Sequence, residues 1–201
     1  MKLKPLIFLT LAFVTTLPAD TLDKASRKVL LDNLQETSSK FLDSVKGLSP
    51  EQWNYKPAPD RWSVAECAEH IALAEDFLRD MVESKILAAP ATPEKIAERK
   101  AIDDKILPMI TNRTQKAKAP EPLIPSKKFA TPAATVAHFK EARAKTVALA
   151  KKRDDLREHA APHPVFKELD AYQWLLFTSG HTARHTAQIL EVKADAGFPK
   201  K

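Results

Sequence analysis

The 201-residue sequence predicts an all-α fold, a four-helix bundle with one long irregular crossover connection. Apolar residues recur at three- and four-residue spacing through four long stretches, and no run alternates with period two for long enough to make a strand. Between residues 88 and 130, Pro90, Pro93, Pro108, Pro120, Pro122 and Pro125 break the helical pattern, which marks the long connection. Only 3 glycines and 1 cysteine occur. That excludes a glycine-rich nucleotide loop, a disulfide framework within the chain and an all-cysteine zinc or iron–sulfur site.

In chain order, Lys2 and Lys4 precede the apolar run Leu6–Val14, which fades into Pro18-Ala19 before the polar Asp20. A basic start, a short apolar segment and a small residue at the cut describe a secretory signal peptide, residues 1–19, cleaved after Ala19. The run falls short of the roughly 20 residues a membrane span needs. The mature domain, 20–201, is therefore expected in the periplasm or secreted. Its first helix carries Leu30, Leu34, Phe41 and Val45 on one face and stops at Gly47. Ser49-Pro50-Glu51-Gln52 is a capping box opening a short helix with Trp53, and Ser63-Val64-Ala65-Glu66 opens a long one to about Leu87. Its expected buried stripe is Cys67, His70, Leu73, Phe77 and Met81. Within the 88–130 insertion there is room for one helix, from about Pro93 to Asn112, followed by an exposed loop, Arg113 to Lys128. Thr131-Pro132 starts the third long helix, with Val136, Phe139, Thr146 and Ala150 inward. A turn at Ala161-Pro162-His163-Pro164 precedes the last, about Leu169 to Ala196, closed by Gly197.

The formal net charge is +6, yet basic and acidic residues are mixed along most of the chain. The one basic excess, Arg113, Lys116, Lys118, Lys127 and Lys128 against Glu121, has only Phe129 at its edge. There is no ladder of aromatics for stacking bases, so no nucleic-acid partner is expected.

Histidines carry the chemistry. In His181-Thr182-Ala183-Arg184-His185, spacing of four puts both imidazoles on one helical face, a turn apart. Trp174, Phe177, Gln188 and Val192 share that face, so these rings point to the core, where each ring nitrogen needs a partner and a metal supplies one. His70 sits on the inward face of the second long helix. Three inward imidazoles on two helices can hold one divalent ion and leave a coordination position open, as in catalytic zinc sites. His138 falls opposite Val136 and is expected in solvent. His159 and His163 also have spacing four, but the bracketing prolines remove helical geometry; His163 remains able to hang over the pocket from its loop. Cys67 reads as a small buried hydrophobe or a soft ligand.

Trp62-Ser63, Glu66 and His70, followed far downstream by His181-Thr182-Ala183-Arg184-His185-Thr186-Ala187-Gln188, resemble the DinB/YfiT-like superfamily, as do Leu48–Trp53 and the ending Glu191–Pro199. The 88–130 insertion is not matched. The resemblance implies a four-helix bundle with a three-histidine site for zinc, nickel or a similar divalent ion such as manganese or iron, and assigns the ligands to His70, His181 and His185. Relatives include thiol-dependent transferases, but a secretory signal separates this chain from the mainly cytosolic thiol cofactors. The expected function is a metal-dependent hydrolase or transferase acting on a small molecule. The alternative is a non-catalytic protein that binds metal or a small ligand; a homodimer is compatible with either. Glu66, one turn before His70, is the candidate base or orienting group. Gln188, just beyond His185, is placed to hydrogen-bond substrate or water, and Arg184 to hold a carboxylate at the rim.

Overall fold

The computed structural model describes residues 22–114 and 118–200; the expected signal peptide lies outside them. Four long helices, α1 (Lys24–Val45), α3 (Val64–Met81), α6 (Pro132–Lys152) and α7 (Ala171–Lys193), form the bundle, with α2 (Pro50–Asn54) between the first two. Their starts are set chemically. Asp23, Ser49, Ser63, Thr131 and Asp170 each accept a hydrogen bond from a backbone N–H of the first turn, and Ser49–Gln52, Ser63–Glu66 and Asp170–Gln173 close reciprocal capping boxes. Gly47, at φ 66°, takes the left-handed conformation that lets the chain turn after α1.

Two apolar clusters fix the helix directions. One joins the start of α1 (Leu30, Leu34) to the end of α3 (Leu78), the end of α6 (Ala150) and the start of α7 (Leu175). The other joins Phe41 and Val45 of α1 to Val64 and Ile71 of α3, Phe139 of α6 and Ile189 of α7. Hence α1 and α7 run one way and α3 and α6 the other. Because α3 and α6 are parallel, the chain between them must travel back along the bundle, which is the physical reason for the long connection. In cross-section the ring of neighbours is α1, α7, α3, α6.

A polar stratum separates the clusters. Glu75 and Arg143, both at most 4% exposed, form an ion pair in which Arg143 Nε reaches Glu75 Oε2 at 2.9 Å. Arg143 also donates to Thr37 Oγ1 at 3.0 Å, and Thr182 donates to Glu75 at 3.0 Å. The pair thus touches α1, α3, α6 and α7 together.

Several expected elements are corrected. The helix from Pro93 to Asn112 is broken into a turn at Pro93–Lys95, α4 (Ile96–Lys100) and α5 (Asp103–Thr111). The break coincides with Arg99, which is drawn inward to donate to Thr92 O and Arg157 O at 2.9 and 2.8 Å. Arg157 in turn binds Asp103 and Asp170 and stacks on Tyr172. The turn at 161–164 is part of a hairpin, β1 (Ala160–His163) and β2 (Lys167–Asp170), with His163 opposite Lys167. Accordingly α7 starts at Ala171, two residues after the expected start, and it ends at Lys193. On α3, Phe77 is 40% exposed and Met81 only partly buried; Ile71, Glu75 and Leu78 face inward instead, because the helix is surrounded on more than one side. The last turn of α3 widens over Val82–Ile86.

Candidate metal centre

Three imidazoles converge between α3 and α7. One ligand nitrogen each from His70, His181 and His185 lies within 4.8 Å of the others, and the His70 and His181 Nε2 atoms are 3.1 Å apart. Nitrogens bound at about 2.0–2.1 Å to a tetrahedral or octahedral ion stand about 2.9–3.4 Å apart, a separation that the His70–His181 pair meets. The tautomers fit as well. His70 Nδ1–H donates to the Leu123 carbonyl at 2.7 Å, and His185 Nδ1–H donates to Gln188 Oε1 at 2.9 Å. A carbonyl only accepts, so both Nε2 atoms are left unprotonated and free to bind an ion. Burial holds all three imidazoles below their ordinary range, His185 down to about 3, with neighbouring rings adding to the shift for the α7 pair. The rings are therefore neutral at pH 7, as ligands must be.

Local sequence places each ring. The Ser63 cap fixes where α3 begins and so where His70 points. On α7, Gly180 lets α5 approach next to His181: a Cβ added there would fall far inside van der Waals contact of Ile110 Cγ2 and 3.2 Å from Leu107 Cδ2. Trp62, its ring centroid 4.8 Å from that of His70 and 6.0 Å from that of His185, covers one side of the cluster.

The remaining candidates separate. Gln188 lies beside the cluster, where its Oε1 accepts from His185 Nδ1–H, with Arg113 Nη1 3.5 Å away on the same oxygen. Glu66 does not turn toward His70; its Oε2 accepts from Ser63 N–H at 2.7 Å, and both its oxygens lie 2.9 Å from Lys56 Nζ. A carboxylate closing a capping box beside a lysine is held low by those contacts despite burial. Arg184 reaches toward α5. It donates to the carbonyls of Ile110, at 3.1 Å, and Asn112, satisfying the end of α5. Cys67 is fully buried among apolar side chains, and its thiol is pushed up to about 12, so it is a hydrophobe and not a ligand. His163 is also structural. Its Nδ1 accepts from the N–H of Val165 and Phe166 in the hairpin turn, and its ring lies on Trp174 and Phe177. His138 is partly buried and donates to Asp76 at 2.6 Å.

Sequence reasoning missed two groups. Arg113 leaves the connection to bind Glu191 with two hydrogen bonds of 2.6 and 2.7 Å. Beyond it, the segment 121–128 is exposed over most of its length, as expected, but it is anchored: Leu123 is buried, and Glu69 of α3 accepts the backbone N–H groups of Ser126, Lys127 and Lys128. The apolar Leu123-Ile124 pair inside a basic stretch was the available signal.

Fold and site together define a four-helix-bundle protein with a three-histidine centre suited to a divalent ion. Comparison with known proteins gives the class its name. Residues 33–189 match the family model of the DinB superfamily, and the chain belongs to that superfamily. It is 32% identical over 152 residues to the uncharacterized protein YuaE of Bacillus subtilis strain 168, covering 75% of this chain and 89% of that one. Its structure is similar to that of YfiT from Bacillus subtilis, described as a probable metal-dependent hydrolase with an unusual four-helix bundle topology. The TM-score is 0.54 at 16% identity, over 91% of this chain and 94% of YfiT.

Proposed function

We propose that this chain is an extracytoplasmic metal-dependent enzyme of the hydrolase or transferase type, with His70, His181 and His185 as the protein ligands. The observation that carries this reading is the pair of fixed tautomers: carbonyl acceptors on Nδ1 of His70 and His185 leave two Nε2 atoms unprotonated in a cluster whose ligand atoms lie within 4.8 Å of one another. Three protein ligands leave room for a water or substrate atom, and a bound divalent ion supplies Lewis acidity and a lowered water pKa. Zinc and nickel suit an all-imidazole set best. Gln188 and the Leu123 carbonyl orient the ligands, and Trp62 keeps bulk water from one face of the cluster. With Glu66 engaged at the cap, no carboxylate joins the histidine cluster among the described residues. Lys2, Lys4 and the apolar run after them support export of the domain.

Metal analysis of protein purified without chelators, and again after zinc or nickel is offered, tests the site. Close to one ion per chain is expected, lost in His70→Ala, His181→Ala and His185→Ala and kept in His138→Ala. A wild-type chain that takes up neither ion refutes it. Loaded protein is then assayed on esters, amides and thiol conjugates; turnover abolished by any ligand variant supports an enzyme, and metal binding with no turnover favours the binding-protein alternative.

A further inference from the structure

The segment 121–128 and the centre are joined by consecutive residues of α3. Glu69, 6% exposed, accepts the backbone N–H groups of Ser126, Lys127 and Lys128 at 2.8, 3.1 and 3.0 Å. Three successive amides reach one carboxylate because Lys127 adopts φ 63°, a left-handed conformation a lysine holds only when its surroundings enforce it. Next to Glu69, His70 donates its Nδ1–H to the carbonyl of Leu123, in the same segment. Leu123 itself is buried in the bundle's apolar cluster. The carboxylate therefore fixes the strip of backbone whose carbonyl fixes the ligand.

We infer that Glu69 is a positioning residue that couples occupancy of the histidine centre to the order of segment 121–128. The inference rests on the metal-binding reading above. The physics is a linkage: an imidazole bound to a cation through Nε2 becomes a stronger Nδ1–H donor, so occupancy strengthens the hydrogen bond to Leu123 and tightens the segment. By reciprocity, the ordered segment raises affinity at the centre by the same factor by which occupancy favours that order, so loosening the segment weakens binding. Glu69→Gln keeps the side chain's shape but replaces an oxygen that accepts amide hydrogens with a carboxamide NH2 group that cannot.

The test uses the full chain with Zn²⁺ or Co²⁺ as the probe. In the wild type, hydrogen exchange at the amides of 126–128 and tryptic cleavage after Lys127 and Lys128 should each slow severalfold when Zn²⁺ is added. In Glu69→Gln both should be fast with or without Zn²⁺, metal affinity measured by chelator competition should fall about tenfold or more, and the Co²⁺ ligand-field spectrum should change. Glu69→Asp, which retains the acceptor oxygens, should recover part of the affinity and the protection. A helical circular dichroism spectrum equal to wild type guards against a folding defect, and the wild-type exchange measurement needs no variant. If the wild type binds Zn²⁺ while exchange at 126–128 is unchanged, or if Glu69→Gln binds as tightly with the same Co²⁺ spectrum, the coupling is overturned and the metal site stands. If the wild type binds no metal, the metal-binding reading fails instead.

Discussion

Gly180→Ala puts the packing beside the centre under direct strain. The new Cβ would land far inside contact distance of Ile110 Cγ2, with Leu107 Cδ2 at 3.2 Å and Ile110 Cβ at 3.5 Å. Ile110 Cγ2 is attached to a β-branched carbon on a helix and cannot swing away cheaply. Helix α5 cannot simply retreat either, because Arg184 of α7 holds its carbonyls at Ile110 and Asn112. Overpacking of this kind costs about 1–3 kcal/mol, while replacing glycine by alanine inside a helix returns about 1 kcal/mol. The steric effect wins, for a net loss of up to about 2 kcal/mol and, at this chain length, about 2–4 °C in Tm for each kcal/mol. Thermal and urea melts of the metal-free protein measure it. Ile110→Ala alone costs about 2–5 kcal/mol as a core truncation, but in that background the clash is gone and Gly180→Ala should turn neutral or stabilising. A Gly180→Ala variant more stable than wild type, or one whose effect is the same in both backgrounds, would show that α5 does not lie against α7 as described.

Removing one member of the buried ion pair, in Arg143→Met, leaves the Glu75 charge without its partner and should cost about 3–5 kcal/mol in a urea melt; Glu75→Gln added to it should restore a good part. Gln188→Ala removes the acceptor from His185 Nδ1 and should weaken zinc binding about 10–100-fold by chelator competition, with the melting curve little changed. In metal-free protein His185 titrates near 3 when folded, against about 6.5 in an unfolded chain, so the unfolded state binds the extra proton between those values. Stability should therefore fall as pH drops from about 6.5 toward 3, and His185→Ala should flatten that slope in melts taken across the window; an unchanged slope counts against a buried, neutral His185.

The bundle was legible because its punctuation is local. Ser49, Ser63 and Thr131 announce helix starts within four residues, and Gly47 announces a stop. The histidine set was legible because two of its members are one turn apart and the third lies on an apolar face. What stayed hidden depends on partners far away in the chain. Glu75 looks like a surface residue until Arg143, 68 positions on, turns toward it, and Glu69 gives no hint that backbone amides nearly 60 residues downstream will claim it. The hairpin at 160–170 was missed because its four-residue strands are too short to display alternation and one contains Pro162. The start of α7 was misplaced although Asp170-x-x-Gln173 spells a capping box. Glu66 was overread for the converse reason: its position beside His70 in sequence drew attention from the cap it closes.

In the ring of neighbours α1, α7, α3, α6, the first two long helices and the last two each stand diagonally: α1 faces α3 across the bundle, and α6 barely touches α7. During synthesis the N-terminal pair thus has little direct surface to bury between its own two helices. Leu30, Leu34 and Phe41 on one helix and Val64, Ile71 and Leu78 on the other must wait for α6 and α7 to interleave between them. Such a chain cannot be assembled hairpin by hairpin, and a truncated product ending before α6 would expose both apolar faces and carry a single one of the three imidazoles. Because the three imidazoles are divided between the diagonal pairs, the cluster is complete only when the two halves of the polypeptide have found each other.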